Sequence, residues 1–488
     1  MTNGYSGFLK RKHLLQLILL VLGIGFSLIL QYRGNLMEVP YGIITSPFIG
    51  LTSQLNIILL AAASPIITLL GGIIGFIGFI LIPGMLLTYS LYDEMHVLTR
   101  ILIGTFISLV SIFLITAYLL LFGIASSPFY SFLPILFACI LLIVKPSILN
   151  KYQEDMRNLW TFFRQDVSNR KYTWFWLGLL FIVIVRITLF SFIDSFASDS
   201  VSYVGYVESI IDGTFMTGYT YVHPIGYALF SMPFVWFVGE ISWGLSLSSW
   251  ILTLIALCGA VPLVERFSEN WPTERKPPVR VLALALFSVP WLTILMSNIL
   301  HESTLLFLTF VGTSAIGSRL KHGEVLLGFA TGVAYLVRPT HALMFFSFML
   351  IPLWENRSSI VNFFKIGFKS LLVAIPVIPL LTRNLLVEGV LLAEYDLQFF
   401  GIENVFPVLR TIASFVINSD YGVFPLLFLF PLIWVTPGMI KRIPKLNAET
   451  WAWVVFAASS MVVFLIYPSD QVRLFAFMIW LIPIILLL

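Results

Sequence analysis

Apolar runs about 20 residues long recur along this chain, separated only by short polar stretches, and no other feature limits its fold as strongly. A helix of that length crosses the roughly 30 Å hydrocarbon core of a bilayer, and so many runs exceed what a soluble core needs. Barrel strands alternate lipid-facing and lumen-facing residues and give no such continuous runs. With 59% hydrophobic and 11% charged residues among 488, the reading is an all-α, polytopic membrane protein with about 14 transmembrane helices. Expected spans are 14–31, 66–90, 101–124, 129–146, 173–193, 243–264, 281–299, 303–318, 325–338, 341–354, 367–384, 422–440, 451–467 and 474–488. Lys10, Arg11 and Lys12 precede the first span with no clean cleavage site after it, so 14–31 reads as a retained signal-anchor. Cys139 and Cys258 sit in separate apolar segments, which points to neither a disulfide framework nor a zinc site.

Charge placement sets the expected topology. With a cytoplasmic N-terminus, 22 of the 28 Lys+Arg fall on inside segments, as the positive-inside bias requires. Arg33, Arg338, Arg383, Arg410 and Arg473 remain outside, and Arg186 lies within a span. The apolar runs 55–65 and 225–239 are placed on the outer surface or as partial insertions. A full crossing by 225–239 would put Arg266, Arg275, Lys276 and Arg280 outside. The chain then divides into a four-helix unit (1–146), a cytoplasmic linker (147–172) and a ten-helix unit (173–488) with an external loop over 194–242. No internal repeat is found, which weighs against an inverted-repeat transporter.

The stretch Asp194–Pro224 carries acids, tyrosines and a histidine without a lysine or arginine. Val201, Val204, Val207 and Ile211 have helical spacing, so a short amphipathic helix lying at the interface is expected, with Asp199 at its head. Other polar residues assigned to the same face are Asp212, His223, His301, Glu302, Arg338, Arg383, Arg410 and Arg473. Charges beside hydrocarbon are costly unless paired or facing a wet cavity. Several arginines without a lysine point to anion binding, because the planar guanidinium grips phosphate in bidentate fashion; anchoring among lipid headgroups is the plain alternative. Asp199 and Glu302 either share a divalent cation or divide the work, one acting as a base; alternatively Glu302 only pairs with His301 or an arginine. His223 before Pro224 also reads as a turn residue, and Asp212 before Gly213 as a helix end. Phosphate loop, dinucleotide-binding glycines, HExxH and GxSxG are all absent, which disfavours cytosolic nucleotide-driven chemistry.

Taken in order, these residues resemble GT-C type integral-membrane glycosyltransferases, such as protein O-mannosyltransferases and the aminoarabinose transferases that modify lipid A. The external loop of that family carries an Asp, a Tyr, a Gly and a (K/H)-P-P-L-Y element. Here Asp199, Tyr203 and Gly213 are followed by H-P-I-G-Y, ending at Tyr227. Glu302 after L-M-S-N-I-L-H, then A-Y-L-V-R-P-T around Arg338, L-T-R-N around Arg383 and Y-P-S-D-Q-V-R ending at Arg473 follow in the family's order. Ser200 stands where an acid is usual and Ile225 where a second proline is usual. The likeness covers 173–488; the first 146 residues, with I-P-G-M-L-L, look like a prefixed membrane segment of unassigned role. The resemblance implies a GT-C-like bundle whose external first loop carries juxtamembrane helices. It also implies sugar transfer from a polyprenyl-phosphate donor to a lipid, glycan or protein acceptor on the outer face of a prokaryotic plasma membrane. Asp199 would be the catalytic base of an inverting reaction. Tyr203, His223, His301, Glu302, Arg338, Arg383 and Arg473 would bind substrate, and Mg or Mn would sit between Asp199 and Glu302. Membrane lipids are expected partners; nucleic acid is not. The competing readings are a transporter or flippase for an anionic lipid or solute, and a non-catalytic membrane subunit.

Overall fold

The computed structural model describes residues 70–92, 94–169, 198–216, 225–267, 301–387, 389, 405–406 and 448–466. Among the described residues every regular element is a helix. Helices α1 (Leu70–Leu91), α2 (Val97–Leu120) and α7 (Ile241–Phe267) are long and apolar enough to cross a bilayer. So is the rod over Ile360–Val387, built from α11 (Ile360–Ser370) and α12 (Ala374–Val387). A fifth candidate is the pair formed by the apolar helix α3 (Phe132–Val144) and the amphipathic α4 (Ser147–Asn169), bent by 112°. The other helices are α5 (Ser198–Ile211), α6 (Gly226–Val238), α8 (His301–Gly317), α9 (Gly323–Val337), α10 (Ala342–Glu355) and α13 (Ala448–Ile466). Apolar helices of this length make the chain membrane-embedded. The expected spans 14–31, 173–193, 281–299, 422–440 and 474–488, and the run 55–65, lie outside the described residues.

Small residues set the closest contacts. Gly84 of α1 and Gly104 of α2 meet backbone to backbone, with no room for a Cβ on either. Such contact is how membrane helices gain packing energy without a hydrophobic drive between them. One turn away α1 widens into a π-helical turn, Phe76–Leu81. The Ser108 hydroxyl of α2 donates to the Ile80 carbonyl in that turn at 2.9 Å. Helix α6 ends at Gly239, whose φ of 77° suits a residue without a side chain, and the chain doubles back into α7. Hydroxyls join the two helices: Tyr227 Oη to Ser249 Oγ and Ser231 Oγ to Ser248 Oγ, both at 2.8 Å.

Among the described residues a large hydrophobic core runs from Phe76 through α2, α6, α7, α8 and α9 to Phe456, and a smaller cluster joins Leu86, Tyr89, Ala138 and Ile148. Residues 147–169 are themselves a helix, held against the bundle. Asp155 of α4 accepts from Tyr89 Oη at 2.7 Å and forms an ion pair with the buried Arg100 at 3.3 Å. The Arg100 guanidinium also lies 3.9 Å from the centre of the Tyr89 ring. Further pairs gather at this end of the bundle: Arg266–Glu449 at 2.9 Å, Arg319–Glu355 at 3.3 Å and Lys369–Glu324 at 2.5 Å. It is called the basic end below.

Candidate functional site

Neighbours along α7 give every other helix a level. Gly244 packs on Val235, Ser248 meets Ser231, and Ser249 meets Tyr227. Further along, Gly259 packs on Leu102 and Phe310, and Arg266 donates to Ser318 Oγ at 3.2 Å. Helix α6 is therefore antiparallel to the first half of α7, and α8 runs parallel to the second half. The exposed Glu240 caps the first turn of α7, accepting from the Ser242 and Trp243 amides. Tyr227 sits roughly nine residues further along, about 14 Å at 1.5 Å per residue.

Four helix ends share that level. Gly226, the first residue of α6, lies so close to Leu336 and Val337 at the end of α9 that a Cβ would strike their backbone. Helix α9 stops there because Arg338 precedes Pro339 and is driven to extended geometry, φ −158° and ψ 114°. Helices α8 and α9 form an antiparallel hairpin, with Gly323 packed on Ala315, so His301 and Glu302 open α8 at the same level as Arg338. Helix α5 slants in from the far end: its Ile210 carbonyl accepts from the Ser126 amide in the loop after α2. Deeper along it, the Tyr203 ring packs edge-on against Tyr227 at 4.9 Å. Asp199 is on the first turn of α5, one turn further in than Tyr203. Two buried polar groups of this region, the Trp250 indole N–H and the Thr304 hydroxyl, have no hydrogen-bond partner among the described residues.

Helix α5 packs against α6 through its tyrosine face. Its buried face is Tyr203, Tyr206, Val207 and Ile210, while Ile211 is 39% exposed. The apolar stripe is thus turned from the valine pattern, because the tyrosine rings bury more surface and find aromatic neighbours inside. Within run 225–239 every residue from Gly226 to Phe237 is buried among the helices.

Arg338 is half-buried at the shared level. Arg383 behaves differently. It is 0% exposed; its Nε donates to the Phe215 carbonyl at 3.1 Å and one terminal nitrogen to Asn384 Oδ1 at 3.3 Å. It therefore braces the turn Thr214–Met216 that follows α5, a role its sequence context does not announce. Asp212 is exposed at the end of α5, in keeping with a helix terminus. Side chains of Asp199, His301 and Glu302 lie outside the described set, as do Asp194, His223, Arg410, Arg473 and Arg186 altogether. Among the described residues no group of three His, Cys, Asp or Glu side chains could hold a metal ion. Gly226, Trp250 and Thr304 escaped the sequence reading; Gly226, in the H-P-I-G-Y run, was the one available signal.

Chemically, the arrangement gathers the N-termini of α5, α6 and α8, the positive ends of their dipoles, around an arginine at the end of α9. Positive helix ends favour a negatively charged group, and the C-terminal carbonyls of α9 oppose one. Comparison of the chain with family models, with curated proteins and with solved structures finds no match.

Proposed function

We propose that this chain is a membrane glycosyltransferase of GT-C type that moves a sugar from a polyprenyl-phosphate carrier to an acceptor at the outer face. The observation that carries the reading is the meeting of four helix ends about 14 Å inside the bundle, with Asp199, His301, Glu302 and Arg338 on or beside those ends. Helix ends at membrane depth persist only where protein covers them or water reaches them. A donor whose phosphate is carried by a lipid enters such a depth from the side.

In this mechanism Asp199 takes the proton of the acceptor hydroxyl as its oxygen bonds to the anomeric carbon. The bond from that carbon to the phosphate oxygen breaks on the opposite face, and the lipid phosphate leaves with the electron pair. Arg338 and Arg473 balance its growing charge. Tyr203, His223, His301 and Glu302 bind the sugar and acceptor, and Arg383 keeps the loop after α5 in place. Asp199 and Glu302 would hold a divalent cation, Mg or Mn, which would offset negative charge at the site.

The test compares a deletion strain complemented with wild type, Asp199→Asn or Arg473→Lys, by mass spectrometry of surface glycans and glycolipids. Wild type is expected to restore a one-sugar increment, Asp199→Asn to express but restore none, and Arg473→Lys to raise the donor requirement. Full activity of Asp199→Asn would remove the proposed base. The second reading, a flippase for an anionic lipid, draws on the same depth, since half-helix N-termini near the midplane hold anionic cargo in transporters. It is favoured if deletion changes the leaflet distribution of a lipid-linked sugar while purified protein in vesicles forms no new glycosidic product.

A further inference from the structure

Helix α11 turns an apolar stripe away from the bundle: Ile360, Phe364, Phe368 and Leu371 are all exposed, Phe364 to 68% and Phe368 to 74%. Val361, Phe364 and Phe368 line a groove of about 520 Å³ bounded by Lys365 and Lys369, which lie one helical turn apart along its edge. Lys369 is engaged by Glu324 and His322. Lys365 is exposed on the same edge. The groove lies at the basic end, where Arg357 stacks on the exposed Trp354 at 4.3 Å. A Trp–Arg pair of this kind marks the headgroup level of a bilayer.

We propose that this groove binds one anionic glycerophospholipid, with an acyl chain along Val361, Phe364 and Phe368 and the headgroup phosphate on Lys365. Charge complementarity favours this occupant: the stripe alone would accept any lipid, whereas the exposed Lys365 ammonium on its edge discriminates by headgroup charge. The binding is independent of the transfer reaction. The test uses full-length protein in nanodiscs with spin-labelled phosphatidylglycerol and phosphatidylcholine, reading the motionally restricted fraction of each. Preference for phosphatidylglycerol is expected to fall about fivefold in Lys365→Gln, the worth of one lysine against an anionic lipid. It should fall further in Lys365→Glu, and not at all in Lys321→Gln, which removes an exposed charge of the same end away from the groove. Thermal melts of the variants should match wild type. An unchanged preference in Lys365→Glu, or an equal loss in Lys321→Gln, would overturn the proposal. So would displacement by inorganic phosphate, which makes the ligand a free anion. A dimer that Phe368→Ser dissociates in light scattering would put a second copy in the groove and overturn it as well.

Discussion

At the residue scale, the described ionisable groups divide between structure and chemistry by what they touch. His96 caps α2 by accepting from the Leu98 amide at 3.3 Å, and burial lowers its pKa from 6.5, with Glu265 and Asp155 opposing. A depressed histidine is neutral in the fold, so its contribution is whole above the unfolded pKa and is lost as pH falls through the lower folded value. Melting temperature is therefore expected to drop as pH is taken below 6.5, and His96→Asn, which keeps an acceptor for the cap, should flatten that part of the curve. Arg383 makes the opposite case for a charge that stays put. Arg383→Ala leaves the buried Phe215 carbonyl without its donor and is expected to cost about 1–3 kcal/mol in chemical unfolding. Under the proposed function, Arg338→Gln is expected to lower sugar transfer, read by mass spectrometry of surface glycolipids. Both arginines interrupt apolar sequence alike, so the chain alone does not announce that Arg383 reaches the Phe215 carbonyl. Arg100 shows the same limit, since its partner Asp155 arrives from a segment that reads as a linker.

At the scale of elements, length and hydropathy were enough to locate α1, α2, α3, α7, α8, α9, α10 and α13 within a few residues, because a 20-residue apolar run has few alternatives in lipid. Depth was not legible. Whether α6 lies on the bundle or inside it depends on Ser231, Ser248, Tyr227 and Ser249 meeting across two helices, and nothing local to 225–239 records those meetings. The buried face of α5 was missed for a related reason: a valine stripe and a tyrosine stripe lie side by side, and contact with Tyr227 selects between them. Glycine positions carry the packing most directly. Gly104→Val must force α2 off α1 at Gly84, and overpacking of this kind costs about 1–3 kcal/mol. A lower melting temperature for Gly104→Val is the expected result, while Gly78→Val, with open space around it, should melt near wild type apart from a small propensity effect.

For the whole molecule, the described cations paired with acids collect at one end, and the helix ends that form the candidate site lie well inside the other half. That arrangement is testable without knowing a substrate. With Cys139 and Cys258 replaced by serine, single cysteines at Phe122, Arg338 and Ile112 are treated in vesicles with a charged, water-soluble thiol reagent. Phe122→Cys, exposed in the loop after α2, should label fast. Arg338→Cys should label more slowly yet to completion, and Ile112→Cys, sealed in the core, should not label. Complete protection of Arg338→Cys would leave the helix ends dry and remove the ground for any anion there. The widened turn of α1 reaches furthest through the assembly. Its spare residue sets the azimuth of everything upstream, because each residue of a helix turns the chain by about 100°. Excising one residue from Phe76–Leu81 would swing Gly72 and Gly75 away from Val238 and Phe237. The tip that joins α6 to α7 would lose its footing, although no residue of that tip had changed.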